Sequence, residues 1–60
     1  MGEKAEMLHK KALRSLYRMQ YWTTMGNAGS AAIAKQRLVD IVNEMRGIGE
    51  DVDVADYIEA

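Results

Sequence analysis

The sequence predicts an all-α protein: an antiparallel helical hairpin with a short C-terminal acidic helix or tail, two hairpins pairing as a four-helix bundle. Three observations carry this. Proline is absent from the 60 residues, so no position forces a break in a helix. Two segments place apolar residues at alternating spacings of three and four, the period of a helix face and not of a strand. Between them lies Met25-Gly26-Asn27-Ala28-Gly29, a stretch rich in residues that end one helix and start another. The whole chain, residues 1–60, is read as one helical domain.

The first helix spans residues 3–24. Ala5, Leu8, Ala12, Ser15, Met19 and Trp22 mark its apolar stripe, and Leu16 widens it. The turn takes residues 25–29. Gly26 ends the first helix, because glycine enters the left-handed conformation without a Cβ clash. Asn27 or Ser30 caps the second by accepting a free amide hydrogen. The same stretch does not fit a phosphate-binding loop, which follows a strand and carries Lys-Ser/Thr at its end.

The second helix covers residues 28–46. Ala31, Ala34, Leu38, Ile41, Met45 and Ile48 repeat the three-four spacing with Val42 beside them, and Gly47 supplies the stop. Residues 51–60 form a short helix or tail. Asp53 caps it, Asp56 completes a capping-box pair, and Val52 and Tyr57 form a hydrophobic staple. So short a helix does not persist alone in water, so it has to dock on something.

Leu8, Ala12, Met19, Trp22, Leu38, Ile41 and Met45 form the candidate core or dimer seam. A lone hairpin covers one side of each stripe and leaves Leu13, Leu16, Ile33, Val39 and Val42 largely in water. A chain of this size buries only about 60% of its unfolded surface, and without cysteine it has no disulfide to compensate. A symmetric homodimer meets the deficit; the alternative is a three-helix monomer closed by its tail.

Reactive chemistry is sparse. There is no cysteine and one histidine, His9. Ser15 and Ser30 have only His9 as a base, and Ser15 is almost two turns from it. Asp51, Asp53 and Asp56 lack the central glycine and twelfth-position glutamate of a calcium loop. The expectation is a non-enzyme with no cofactor and no metal. No apolar run approaches the roughly 18 residues of a membrane span, and the N-terminal stretch lacks a signal-peptide core. A cytoplasmic protein is expected.

Net charge is −1, but residues 1–24 carry +3 and residues 25–60 carry −4. On the first helix Lys10, Arg14, Tyr17, Arg18 and Tyr21 cluster opposite the apolar stripe, with Lys11 at the margin. Cations interleaved with aromatics suit phosphate contacts and base stacking. A dimer presenting two such faces resembles the Rop-type RNA-binding bundle in architecture, without a shared sequence motif. The competing expectation is that the acidic tail docks on this face, with Tyr17 and Tyr21 packing on Val54, Tyr57 or Ile58. The leading functional reading is a small non-catalytic homodimeric interaction or regulatory protein, of the kind phages and plasmids encode as accessory regulators, with an unidentified protein partner. The alternative is a dimeric RNA- or DNA-binding bundle using the basic face.

Overall fold

The computed structural model describes residues 2–58; Met1, and Glu59 and Ala60 at the end of the expected 51–60 segment, lie outside the described residues. Helices α1 (Glu3–Thr24) and α2 (Ala28–Gly47) pack against each other as a hairpin, and a 3-10 turn at Val54–Asp56 follows. Among the described residues there is no strand, and no helix is long and apolar enough to cross a membrane.

Both helices end in the same hydrogen-bonded device. At the end of α1 the Asn27 amide donates to Trp22 O at 2.9 Å and the Gly26 amide to Thr23 O at 3.1 Å. At the end of α2 the Glu50 amide donates to Met45 O and the Gly49 amide to Arg46 O, both at 3.1 Å. These crossed bonds satisfy carbonyls that the helix leaves free, and they need a left-handed residue just past the helix. Gly26 (φ +77°) and Gly49 (φ +93°) fill that place. The expected stop at Gly47 is therefore displaced: Gly47 is the last helical residue, and Gly49 takes the left-handed turn. The first turn is shorter than the expected 25–29. Asn27 already caps α2, its Oδ1 accepting from the Ser30 amide at 3.1 Å, which selects Asn27 over Ser30 as the cap.

The core runs along the line where α1 meets α2. Ala5, Leu8 and Ala12 from α1 face Ala34, Leu38, Val42 and Met45 from α2, all buried, with Ala12 and Leu38 fully so. Small residues let the backbones approach and large ones fill the space between them. The predicted seam divides: Leu8, Ala12, Leu38 and Met45 are buried, whereas Met19, Trp22 and Ile41 are half-buried. Val42, expected in water, is 1% exposed.

The cause is the C-terminal segment. Val52, Val54, Tyr57 and Ile58 pack against the cluster of Ala12, Leu38 and Val42. Leu13, Leu16 and Val39 are half-buried instead of exposed, while Ile33 stays 60% exposed as expected. The expected helix from Val54 onward contracts to the one 3-10 turn. Its capping box does form: Asp56 Oδ2 accepts from the Asp53 amide at 2.8 Å, and Asp53 Oδ1 from the Val54 amide at 2.7 Å.

Candidate functional site

Helical geometry gives the hairpin two flanks. At about 100° per residue, His9, Leu13 and Leu16 lie on one side of the α1 seam, and Lys11, Arg14 and Arg18 on the other. The C-terminal segment takes the first flank. Tyr57 is its anchor: its hydroxyl lies 2.7 Å from His9 Nδ1 and 3.8 Å from Met45 Sδ, with the His9 and Tyr57 rings 5.6 Å apart. With the imidazole proton on Nδ1, His9 donates to the Tyr57 oxygen, which frees the hydroxyl proton for the sulfur. Burial pushes the Tyr57 phenol above its ordinary value, and the nearby Asp56 carboxylate adds to the rise. The phenol stays neutral, as this arrangement requires.

This position differs from the expected tail-docking face. Tyr17 and Tyr21 remain 62% and 57% exposed and do not meet Tyr57, which sits on His9. Lys10, Arg14 and Arg18 are exposed as well.

The second flank is an open groove between the helices. Lys11, Arg14, Ser15 and Arg18 line it from α1, and Arg37, Asp40 and Ile41 from α2, around a volume of about 290 Å³. A smaller concavity nearer the turn continues it, lined by Ser15, Arg18, Trp22, Ser30, Ile33, Ala34 and Arg37. Ile41 also packs on the core cluster and so gives the groove an apolar floor. Four cations thus meet one carboxylate, and Asp40 already accepts from Gln36 Nε2 at 3.0 Å. Beside the concavity, Tyr21 and Trp22 make an edge-to-face pair with centroids 5.1 Å apart, a favoured aromatic geometry.

Of the residues singled out from sequence, Arg14 and Arg18 line the groove, Tyr21 pairs with Trp22 at its rim, and Lys10 and Tyr17 lie on the same exposed side of α1. Arg37 was missed. Within α2 it reads as an ordinary solvated cation, and only the antiparallel pairing carries it across to Arg18. A signal existed: residues equidistant from the turn face each other, which sets Arg37 opposite Ser15 and Arg18.

His9 and Ser15 lie on different sides of α1, the first against Tyr57 and the second in the groove. Among the described residues, no three His, Cys, Asp or Glu side chains are grouped to hold a metal ion. No family model matches the chain, and neither a curated protein nor a solved structure was found similar to it.

Proposed function

We propose that this chain is a small non-catalytic interaction module that acts by binding another macromolecule through the flank its C-terminal segment leaves open. One observation carries the reading: residues 52–58 pack on one flank away from the turn, while the other keeps a cation-lined groove with Ile33 in its continuation, Tyr21 paired with Trp22 at its rim and Tyr17 exposed further round α1. Solvated cations alone are ordinary; cations, exposed rings and a concave apolar floor in one place are the composition of recognition surfaces.

Self-association belongs to the same proposal on altered ground. Val42 no longer needs a second copy to leave water, so a homodimer rests on the apolar residues still exposed, Tyr21, Met25 and Ile33 among them. A dimer built on Ile33 and Tyr21 competes with any other partner for the open flank.

Immobilised native chain and an Arg18→Glu variant, each exposed to cell lysate with and without nuclease, test the module. Material retained by the native chain and lost by the variant supports it; identical retention by both removes it. Sedimentation equilibrium tests the dimer, where a mass of one chain at high concentration discards it.

A further inference from the structure

We infer that the open flank binds single-stranded nucleic acid, with phosphates on Arg14, Arg18 and Arg37 and bases against Tyr17 and Tyr21. The inference rests on the reading of that flank as the working face, and it names the class of partner.

Charge separation comes first. The chain is net acidic, yet the groove gathers Lys11, Arg14, Arg18 and Arg37 around a single carboxylate. The acids of the C-terminal segment (Asp51, Asp53 and Asp56) are exposed on a segment anchored to the other flank by Tyr57. They do not occupy the groove. Its complement is therefore an anionic ligand, and arginine's planar fork suits phosphate oxygens well.

The rings then choose among anionic ligands. An acidic peptide would use the cations and leave Tyr17 and Tyr21 idle, two large rings more than half in water. A nucleic acid uses both, because every base has a face that stacks on an aromatic side chain. Arg14 and Arg18 form one ridge of α1, and Tyr17 and Tyr21 form the adjacent one. Each pair is separated by four residues, about 6 Å along the axis. Cations and rings thus run side by side in the same period, as phosphates and bases do along a strand.

That spacing also excludes a paired strand. Successive stacked bases of a duplex are about 3.4 Å apart, so bases reaching successive tyrosines have to separate from one another. Only unpaired bases do so at small cost. Arg37 completes the groove from the other helix and holds the backbone against the α1 ridge.

Fluorescence anisotropy of labelled twelve-nucleotide oligo(U) and oligo(dT), titrated with the full chain at low salt, is the test. Quenching of Trp22, the single tryptophan, gives a second signal from the same flank. Binding of either strand is expected, with a log–log salt slope that each of Arg14→Ala, Arg18→Ala and Arg37→Ala flattens by about 0.7. Tyr21→Ala weakens binding roughly tenfold and leaves the slope unchanged. Lys35→Ala, in a separate concavity beside the turn, changes neither. Circular dichroism confirms that each variant is folded. A higher affinity for RNA than for DNA would point to contacts with the 2′-hydroxyl.

Three results overturn the inference: no response to either oligonucleotide, binding indifferent to all three arginines, or tighter binding of a duplex of the same length. A poly-glutamate peptide separates this failure from that of the parent reading. If it binds in an Arg18-dependent way while the oligonucleotides do not, the surface stands and the nucleic-acid assignment falls. If neither binds, the nucleic-acid assignment falls, and the lysate comparison of the native chain with Arg18→Glu decides the parent reading by itself.

Discussion

Residues 52–58 pack on one flank of the hairpin and leave the cation-lined flank open, although charge alone argues for the reverse arrangement. An acidic segment on a chain with a basic helix would be expected to settle on the cations. It settles instead on Ala12, Leu38 and Val42, and the magnitudes explain why. An exposed ion pair contributes about 0–1 kcal/mol, whereas full burial of one Val, Ile or aromatic side chain contributes about 1.5–3 kcal/mol. The segment carries Val52, Val54, Tyr57 and Ile58 inward, each partly buried, and leaves Asp51, Asp53 and Asp56 in water. Apolar area decides where the segment lies. The cations are left free because the segment's four apolar side chains pack on the other flank.

The largest expected effect breaks both flanks together. Leu38→Ala, at a fully buried position, should lower unfolding free energy by about 2–5 kcal/mol. Ile33→Ala, at a position 60% exposed on the open flank, should stay within about 0.5 kcal/mol. Urea denaturation of the pair measures the contrast, and equal losses would contradict the assignment of core and open surface.

Next comes the anchor of the covered flank. Tyr57→Ala should cost about 1–2 kcal/mol, less than full burial would give because the ring is partly exposed. Tyr57→Phe keeps the ring, removes the hydroxyl's contacts to His9 Nδ1 and Met45 Sδ and should cost about 0.5–1.5 kcal/mol. The phenol supplies a pH test as well. Its folded pKa is raised above the ordinary 10.0, so the folded chain holds that proton more tightly than the unfolded chain. The associated stability is present below about pH 10 and is lost as pH climbs through the folded pKa. Tyr57→Phe should lack that part of the alkaline loss when urea midpoints at about pH 8 and pH 11 are compared.

The two left-handed glycines sharpen the comparison by separating the hairpin from its cover. A Cβ at Gly26 or Gly49 would meet nothing within 4 Å, so alanine at either place is penalised only through the backbone, by about 1–2 kcal/mol. Gly26→Ala strains the α1–α2 junction. Gly49→Ala strains the exit of the covering segment, so amide exchange should accelerate first at Val54 and Tyr57 while α1 stays protected.

The smallest effect is expected on the open flank. Arg14→Ala, Arg18→Ala and Arg37→Ala should each change thermal stability by no more than about 0.5 kcal/mol. A loss above 1 kcal/mol at Arg18 would make the groove a structural feature of the hairpin and not a free surface.

Much of this was legible in the residues themselves. Spacing of Ala5, Leu8, Ala12, Leu38 and Met45 marks the buried seam, and Gly26-Asn27 marks the turn, because both signals are local or periodic. The candidate site was half legible: the α1 ridge of Arg14, Tyr17, Arg18 and Tyr21 follows from one helix's period. Arg37 was not seen, since its role depends on which residue of α1 lies across from it. Gly47 reads as the stop because it directly follows the last periodic residues, and only the crossed bonds from Gly49 and Glu50 show that the left-handed turn comes two residues later.

By itself the sequence determined the two helices, the place of the turn between them and the separation of charge along the chain. These depend on interactions within a few residues, where side-chain chemistry and backbone geometry leave little choice. Tertiary structure alone decided which flank the C-terminal segment covers, and with it the burial of Val42, the pairing of His9 with Tyr57 and the exposure of the arginine groove. That decision compares two distant surfaces for the same few side chains. The comparison is one of apolar area, which exists only once the helices have packed.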